Sequence, residues 1–247
     1  MKITFKTEWK DAIEHLPYPI KKNMPEWYKK IPSFVSTDRD HRSVKMCMPF
    51  QDALISGYCI PLPMDLRLKK EYDDKGELML KVLWGNNHHT LWGDNHNIVA
   101  STMAIEGHHK GQYGDMPYPD GALNQVIKIN MPYRIFTPPG YSCLFIPPMN
   151  RERKYFEIIS GIIDTDNYGG VTNLPSFIRD WTEDQNGHDS LMIPGGTPIA
   201  QVFPFKRDKW ELEVVEDDWN KNKWFMKYFT KWANNYKIKS WKKKEYK

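Results

Sequence analysis

Thr137-Pro138-Pro139-Gly140-Tyr141-Ser142-Cys143-Leu144-Phe145-Ile146-Pro147-Pro148 opens the stretch that decides the fold. Ser160-Gly161-Ile162-Ile163-Asp164-Thr165-Asp166-Asn167-Tyr168-Gly169-Gly170 continues it, and Gly196-Thr197-Pro198-Ile199-Ala200-Gln201-Val202-Phe203-Pro204-Phe205 closes it. Apolar runs of a few residues alternate with Pro and Gly, the pattern of short strands joined by tight turns. Working outward, the runs 126–130 and 133–136 read as strands feeding this stretch. Residues 64–84 read as a β-hairpin across the turn Asp73-Asp74-Lys75-Gly76. The pieces 44–50 and 53–63 read as short extended segments broken by Pro and by Gly57. Trp210-Glu211-Leu212-Glu213-Val214-Val215 alternates apolar and acidic, as a half-exposed strand does.

The ends differ from this body. Residues 1–43 form an arm rich in Pro and aromatics, in which Pro17, Pro19, Pro25 and Pro32 exclude a long helix. Pro25-Glu26-Trp27-Tyr28-Lys29-Lys30 reads as one helical turn with Pro at its first position. Residues 216–247 change period. Trp219, Trp224, Phe225, Tyr228, Phe229, Trp232 and Tyr236 recur at helical spacing between lysines, giving an amphipathic helix with an aromatic face and a basic tail. The expected architecture is mainly β: a body over 44–215, an N-terminal arm over 1–43 and a C-terminal helix and tail over 216–247.

Composition narrows the class. Ten Trp and 14% aromatics are far from a disordered composition. The formal net charge of +4 is unevenly spread: residues 221–247 carry +9, which leaves −5 on the rest. Three cysteines, Cys47, Cys59 and Cys143, with no C-x-x-C, argue against a disulfide framework or a zinc ribbon and fit a reducing compartment. The N-terminal residues carry no apolar signal segment, and no apolar run approaches the roughly 18 residues of a membrane span. The expectation is a soluble, non-secreted protein in a host cytoplasm or a virion. No nucleic-acid motif accompanies the Lys242-Lys243-Lys244 tail, which reads as a solvated end with non-specific attraction to phosphate.

Two clusters carry candidate chemistry. Asp164 and Asp166 are carboxylates two residues apart, which on a strand end point the same way. One could orient a water or a sugar hydroxyl while the other holds Mg²⁺. Tyr168 could stack on a base or sugar, and Gly169-Gly170 lets a ligand approach the backbone. The plainer reading is a β-turn, since Asp, Asn and Gly are the usual turn formers. The second cluster is His88, His89, His96, His108 and His109, with Asp94, Asp115 or Glu106 as a further ligand. None shows a recognised metal-ligand spacing, and hydrogen-bonded loop histidines are the plainer reading.

Pro139-Gly140-Tyr141, then residues 161–169, then Asn173, then Gly196-Thr197-Pro198-Ile199-Ala200-Gln201 resemble, in order and approximate spacing, the motifs of the dUTPase and dCTP-deaminase superfamily, which has the β-clip fold. The resemblance covers roughly 137–205. It implies a β-clip-like barrel or sandwich, a base-and-sugar pocket at Asp164 to Tyr168, Asn173 nearby, Gln201 shaping the pocket and Arg151 on phosphate. It also implies oligomers, commonly trimers. An extra Asn167 separates Asp166 from Tyr168, and the other departures fall mostly on the phosphate side. Pro147-Pro148-Met149-Asn150-Arg151-Glu152 stands where the family has Pro-Arg-Ser-Gly, Pro198 replaces an Arg, and the Gly-rich C-terminal lid is replaced by the aromatic helix. Nearly the full chain is also similar to a protein family scattered among bacteria and tailed phages, on Pro25-Glu26-Trp27-Tyr28-Lys29, Asn150-Arg151 and Pro204-Phe205-Lys206-Arg207 among other residues; that similarity brings no activity with it.

The leading expectation is therefore a non-catalytic β-clip-like structural or interaction protein with a protein partner or self-association. The first alternative is a Mg²⁺-dependent nucleotide-binding or nucleotide-hydrolysing relative of dUTPase, with Asp164 and Asp166 catalytic and Tyr168, Arg151, Asn173 and Gln201 on the ligand. The second is a His-based metalloenzyme.

Overall fold

The computed structural model describes residues 1–247 apart from 9, 38–40, 73, 75, 77, 85–104, 108–111, 182–189, 217–222 and 224–234. The five candidate histidines and nearly all of the aromatic stretch 216–236 lie outside the described residues. The chain divides into two units, Met1–Tyr18 with Gly57–Lys206, and Pro19–Ser56 with Arg207–Lys247.

The first unit is mainly β, as the Pro/Gly-punctuated apolar runs predict. Its strands are β1 Thr4–Lys6, β2 Tyr18–Pro19 at the unit boundary, β3 Tyr58–Pro61, β4 Leu66–Tyr72, β5 Leu78–Trp84, β6 Ile105–Gly107, β7 Ala122–Asn130, β8 Arg134–Phe136, β9 Tyr141–Ile146, β10 Phe156–Ile158, β11 Gly161–Ile163, β12 Asn173–Arg179, β13 Ser190–Ile193 and β14 Pro198–Lys206. They form four open sheets, ordered β1-β8, β10-β12-β7-β6, β11-β9-β14-β3-β2 and β13-β4-β5. The hairpin expected over 64–84 is present, with β4 and β5 antiparallel in the register Lys69↔Lys81. No barrel closes among the described strands.

Strand alternation sends one side chain in two to a common core. On β9, Cys143 and Phe145 face inward, and on β12 Leu174 and Ile178 do. Tyr133, Ile60, Leu66, Leu68 and Ile129 complete its centre. On β14, Ile199, Ala200, Gln201 and Val202 are all buried, because this strand runs between β9 and β3 in the middle of its sheet. Each fully buried Leu, Ile or Phe of this kind contributes roughly 1.5–3 kcal/mol.

Three local expectations are corrected. The segment read as extended pieces around residue 50 is a helix, α2 Met48–Ile55. Pro49 sits in its first turn, where a missing N–H costs nothing, so this proline starts the helix instead of breaking a strand. In α1 Glu26–Lys30, Pro25 is the N-cap rather than the first helical residue. Residues 210–215 do not form a strand: Trp210, Leu212 and Val214 are each almost wholly exposed, and among the described residues no neighbouring strand completes a ladder. Alternation can mark a strand-competent segment, but a partner edge is what makes it a strand. Among the described residues no helix is long and apolar enough to cross a membrane.

Candidate functional site

The loop joining β11 to β12 surrounds a concavity of about 550 Å³ lined by Ile162, Ile163, Asp164, Asn167, Tyr168, Val171 and Asn173. Three residues singled out in the sequence, Asp164, Tyr168 and Asn173, share this wall. Ile162 and Ile163 join them from β11 and Asn167 and Val171 from the loop; of these, Val171 lies outside the 161–169 motif, and the curl of the loop brings it round.

The loop begins as a turn. Backbone N–H groups of Asn167 and Tyr168 both donate to the Asp164 carbonyl, at 3.0 and 2.8 Å. Asp164 and Asp166 therefore lie on a turn, not on the end of a strand, and their carboxylates part. Asp164 Oδ1 accepts the hydroxyl of buried Ser142 at 2.6 Å. Asp166 Oδ2 accepts the backbone N–H of Gly140 at 2.7 Å. Between them, buried Thr165 places its Oγ1 2.7 Å from Thr137 Oγ1 and 3.3 Å from Cys143 Sγ. The Thr137 N–H donates to the Thr165 carbonyl at 3.2 Å. Three consecutive side chains of the turn thus grip the 137–143 segment. Of the pair, only Asp164 lines the concavity.

Tyr168 is set by the glycine that follows. Its hydroxyl donates to the Val171 carbonyl at 3.1 Å. A Cβ on Gly170 would lie 2.5 Å from that hydroxyl oxygen and 2.6 Å from Cζ, so the ring rests where only glycine leaves room.

The other two expected ligand residues stand elsewhere. Gln201 is fully buried, and its Oε1 accepts the Met149 N–H at 2.8 Å, which fixes the segment after β9. Arg151 follows Asn150, which has a left-handed φ of 55°. It lines a separate cleft of about 180 Å³ with Glu152, Arg153, Lys154, Thr197 and Pro198 among others. Burial lowers the pKa of its guanidinium, against the opposing influence of Cys59 and Tyr18. Burial likewise pushes the Cys59 thiol up to about 11.

Among the described residues, no three His, Cys, Asp or Glu side chains converge on a point that could hold a metal ion. Mg²⁺ is ordinarily bound by one or two carboxylates with ligand phosphates and water. Asp164 is the carboxylate on the wall that could meet an ion brought in that way. Chemically, the concavity offers an aromatic ring, a carboxylate, two side-chain amides and an apolar rim formed by Ile162 and Val171.

No family model matches the chain, and no curated protein matches it. Among solved structures, the dUTPase from phage phi11 of S. aureus is similar at 16% identity, over 46% of this chain and 97% of that one, with a TM-score of 0.25. The Staphylococcus bacteriophage 80alpha dUTPase is similar at 17% identity, over 46% and 97% of the respective chains, with a TM-score of 0.25. At these values the functional reading rests on this chain's own residues.

Proposed function

We propose that this chain is a non-catalytic recognition protein of mainly β architecture whose β11–β12 concavity takes up a nucleoside or nucleotide. One observation carries the reading: Asp166 holds the Gly140 N–H and Asp164 the Ser142 hydroxyl, so both carboxylates brace the turn, while Tyr168 and Asn173 face the same space. A ring fixed at its hydroxyl end presents a preorganised surface for a base. The Asn173 amide supplies both a donor and an acceptor for a base edge. A carboxylate has about four lone-pair sites, more than the Ser142 hydroxyl takes up, and an Asp164 carboxylate on the wall is the group suited to accept a sugar hydroxyl. The motif resemblance over 161–169 supports the nucleoside class. Catalysis is disfavoured because Asp166 faces Gly140 rather than the concavity, and because Arg151, the expected phosphate ligand, lines another cleft.

A second reading, self-association through the same face, is favoured by the exposure of Ile162 at 63%, Tyr168 at 43% and Val171 at 39%. Thermal unfolding against deoxynucleosides and their mono- and triphosphates, with and without Mg²⁺, separates the two. A ligand at 100 times its Kd adds about 2.7 kcal/mol, a rise of about 5–10 °C for a chain of this size. The expected result is a shift with one base, lost in Tyr168→Ala, and no release of phosphate or pyrophosphate. No shift with any of them, combined with a concentration-dependent oligomer that Ile162→Asp dissociates, would replace this reading with the second. Steady hydrolysis would overturn the non-catalytic assignment.

A further inference from the structure

The second unit holds a cleft that the nucleoside reading does not use. It measures about 340 Å³, and Lys21, Lys237, Lys243, Lys244 and Lys247 line it. Met48, Ile55 and Trp241 supply its apolar lining. Four of the lysines come from the C-terminal segment, three of them from the basic run at 242–247, and folding brings Lys21 from more than 200 residues earlier to join them. The segment is seated by Asp52 on α2. Trp241 Nε1 donates to both Asp52 carboxylate oxygens, at 3.1 and 2.9 Å, and Lys244 Nζ lies 2.5 Å from Oδ2. The Asp52 side chain is only 13% exposed, so this is an anchored contact.

The cleft already gathers lysines round one anion. Glu245 lies 3.0 Å from Lys243 Nζ and 4.0 Å from Lys247 Nζ. The hydrogen bond and charge of Lys243, with Lys247 and then Lys21 adding, hold its carboxyl below the usual carboxylate range. An internal carboxylate thus shows where an external anion would be drawn. Five lysines against two carboxylates leave the site strongly positive, and a half-buried indole stands beside them.

We propose that this cleft binds single-stranded nucleic acid, its phosphodiesters among the lysines and a base against Trp241. Cations that track a backbone beside an aromatic platform are the recurring solution for this ligand, and stacking one base is worth about 1–3 kcal/mol. A concave site of this size suits a nucleotide unit, whereas a bilayer calls for a flat or convex face.

The test is fluorescence anisotropy of a labelled oligodeoxythymidylate of about twelve nucleotides, within the usual range of site sizes, titrated with the full chain at several salt concentrations. Three to five phosphate contacts give a log–log salt slope of about −2 to −3.5 for a single strand. Lys21→Gln should weaken binding about fivefold at 0.1 M salt and flatten the slope by about 0.7. Lys22→Gln, one residue away and outside the cleft lining, should change neither. Asp52→Ala supplies a test of sign: it makes the protein more positive, so diffuse attraction predicts tighter binding, whereas loss of the seat for Trp241 and Lys244 predicts weaker binding. Equal effects of the two lysine substitutions, tighter binding by Asp52→Ala, or retention by phosphatidylserine vesicles in preference to the oligonucleotide would each overturn the proposal. If Asp52→Ala does not fold, the Lys21 and Lys22 pair decides alone.

Discussion

The Asp166 carboxylate accepts the backbone N–H of Gly140 across 2.7 Å, tying the β11–β12 turn to the Pro-Pro-Gly-Tyr turn that leads into β9. The two segments are 26 residues apart in sequence and make one structural unit through this bond and the adjacent Ser142–Asp164 and Thr137–Thr165 pairs. The second carboxylate of the Asp-x-Asp pair here braces the backbone. Asp166→Ala leaves a partly buried N–H without its charged acceptor, at a cost of about 1–3 kcal/mol. Asp166→Asn keeps an acceptor oxygen and should recover about half of that. Urea unfolding of the three proteins checks the ranking.

Tyr168 and Gly170 form a second coupled pair. Gly170→Ala puts a methyl group 2.5 Å from the tyrosine hydroxyl, and the ring end is the part that can move. The expected outcome is displacement of the ring with loss of its bond to the Val171 carbonyl, a stability cost of only about 1 kcal/mol, and loss of the nucleoside-dependent thermal shift. Calorimetry with and without ligand separates the two effects.

Gly57 and Gly140 share a φ of +82° but not their surroundings. A Cβ at Gly57 would lie 2.5 Å from the Val202 carbonyl oxygen, which is backbone and cannot step aside, whereas among the described residues nothing beyond the chain neighbours lies within 4 Å of one at Gly140. Gly140→Ala should therefore cost only the left-handed penalty of about 1–2 kcal/mol. Gly57→Ala should add about 1–3 kcal/mol of overpacking to the same penalty. Equal midpoints in parallel denaturant melts would show that β14 yields at this point.

Alkaline pH should weaken the first unit through Cys59. Burial raises the folded-state pKa of this thiol from 9.0 to about 11, against a hydrogen bond from Tyr18 and the charge of Arg151, which lower it. In the unfolded chain the thiol ionises first, so the folded state binds more protons between the two values. The contribution is therefore complete below about pH 9 and is lost as pH rises toward about pH 11, with a limiting slope of about −1.4 kcal/mol per pH unit. Melting temperatures measured across that window should fall more steeply for the native chain than for Cys59→Val, which lacks the titration.

Much of the β architecture is legible in the sequence because it is local. Leu66, Leu68 and Leu80 alternate on either side of a four-residue turn signal, and the 64–84 hairpin follows from that alone. The turn at Asp164 to Tyr168 is legible for the same reason, since Asp, Asn and Gly encode turns through their own backbone bonding. Pro49 is ambiguous in sequence because the same ring starts a helix or breaks a strand according to what precedes it, and Trp210 to Val215 because alternation does not supply a partner edge.

What the sequence determined by itself, then, is the period of each segment, the places where the chain turns and the residue types available to a site. Only the tertiary structure decided that Asp166 faces Gly140 while Asp164 faces the concavity, that Arg151 and Gln201 stand away from that wall, and that Lys21 joins four C-terminal lysines in the lining of one cleft. The reason is physical. Turn and strand preferences arise from the backbone of a few neighbouring residues, whereas the partner of a carboxylate or a lysine is whichever group the folded chain carries to within about 3 Å of it.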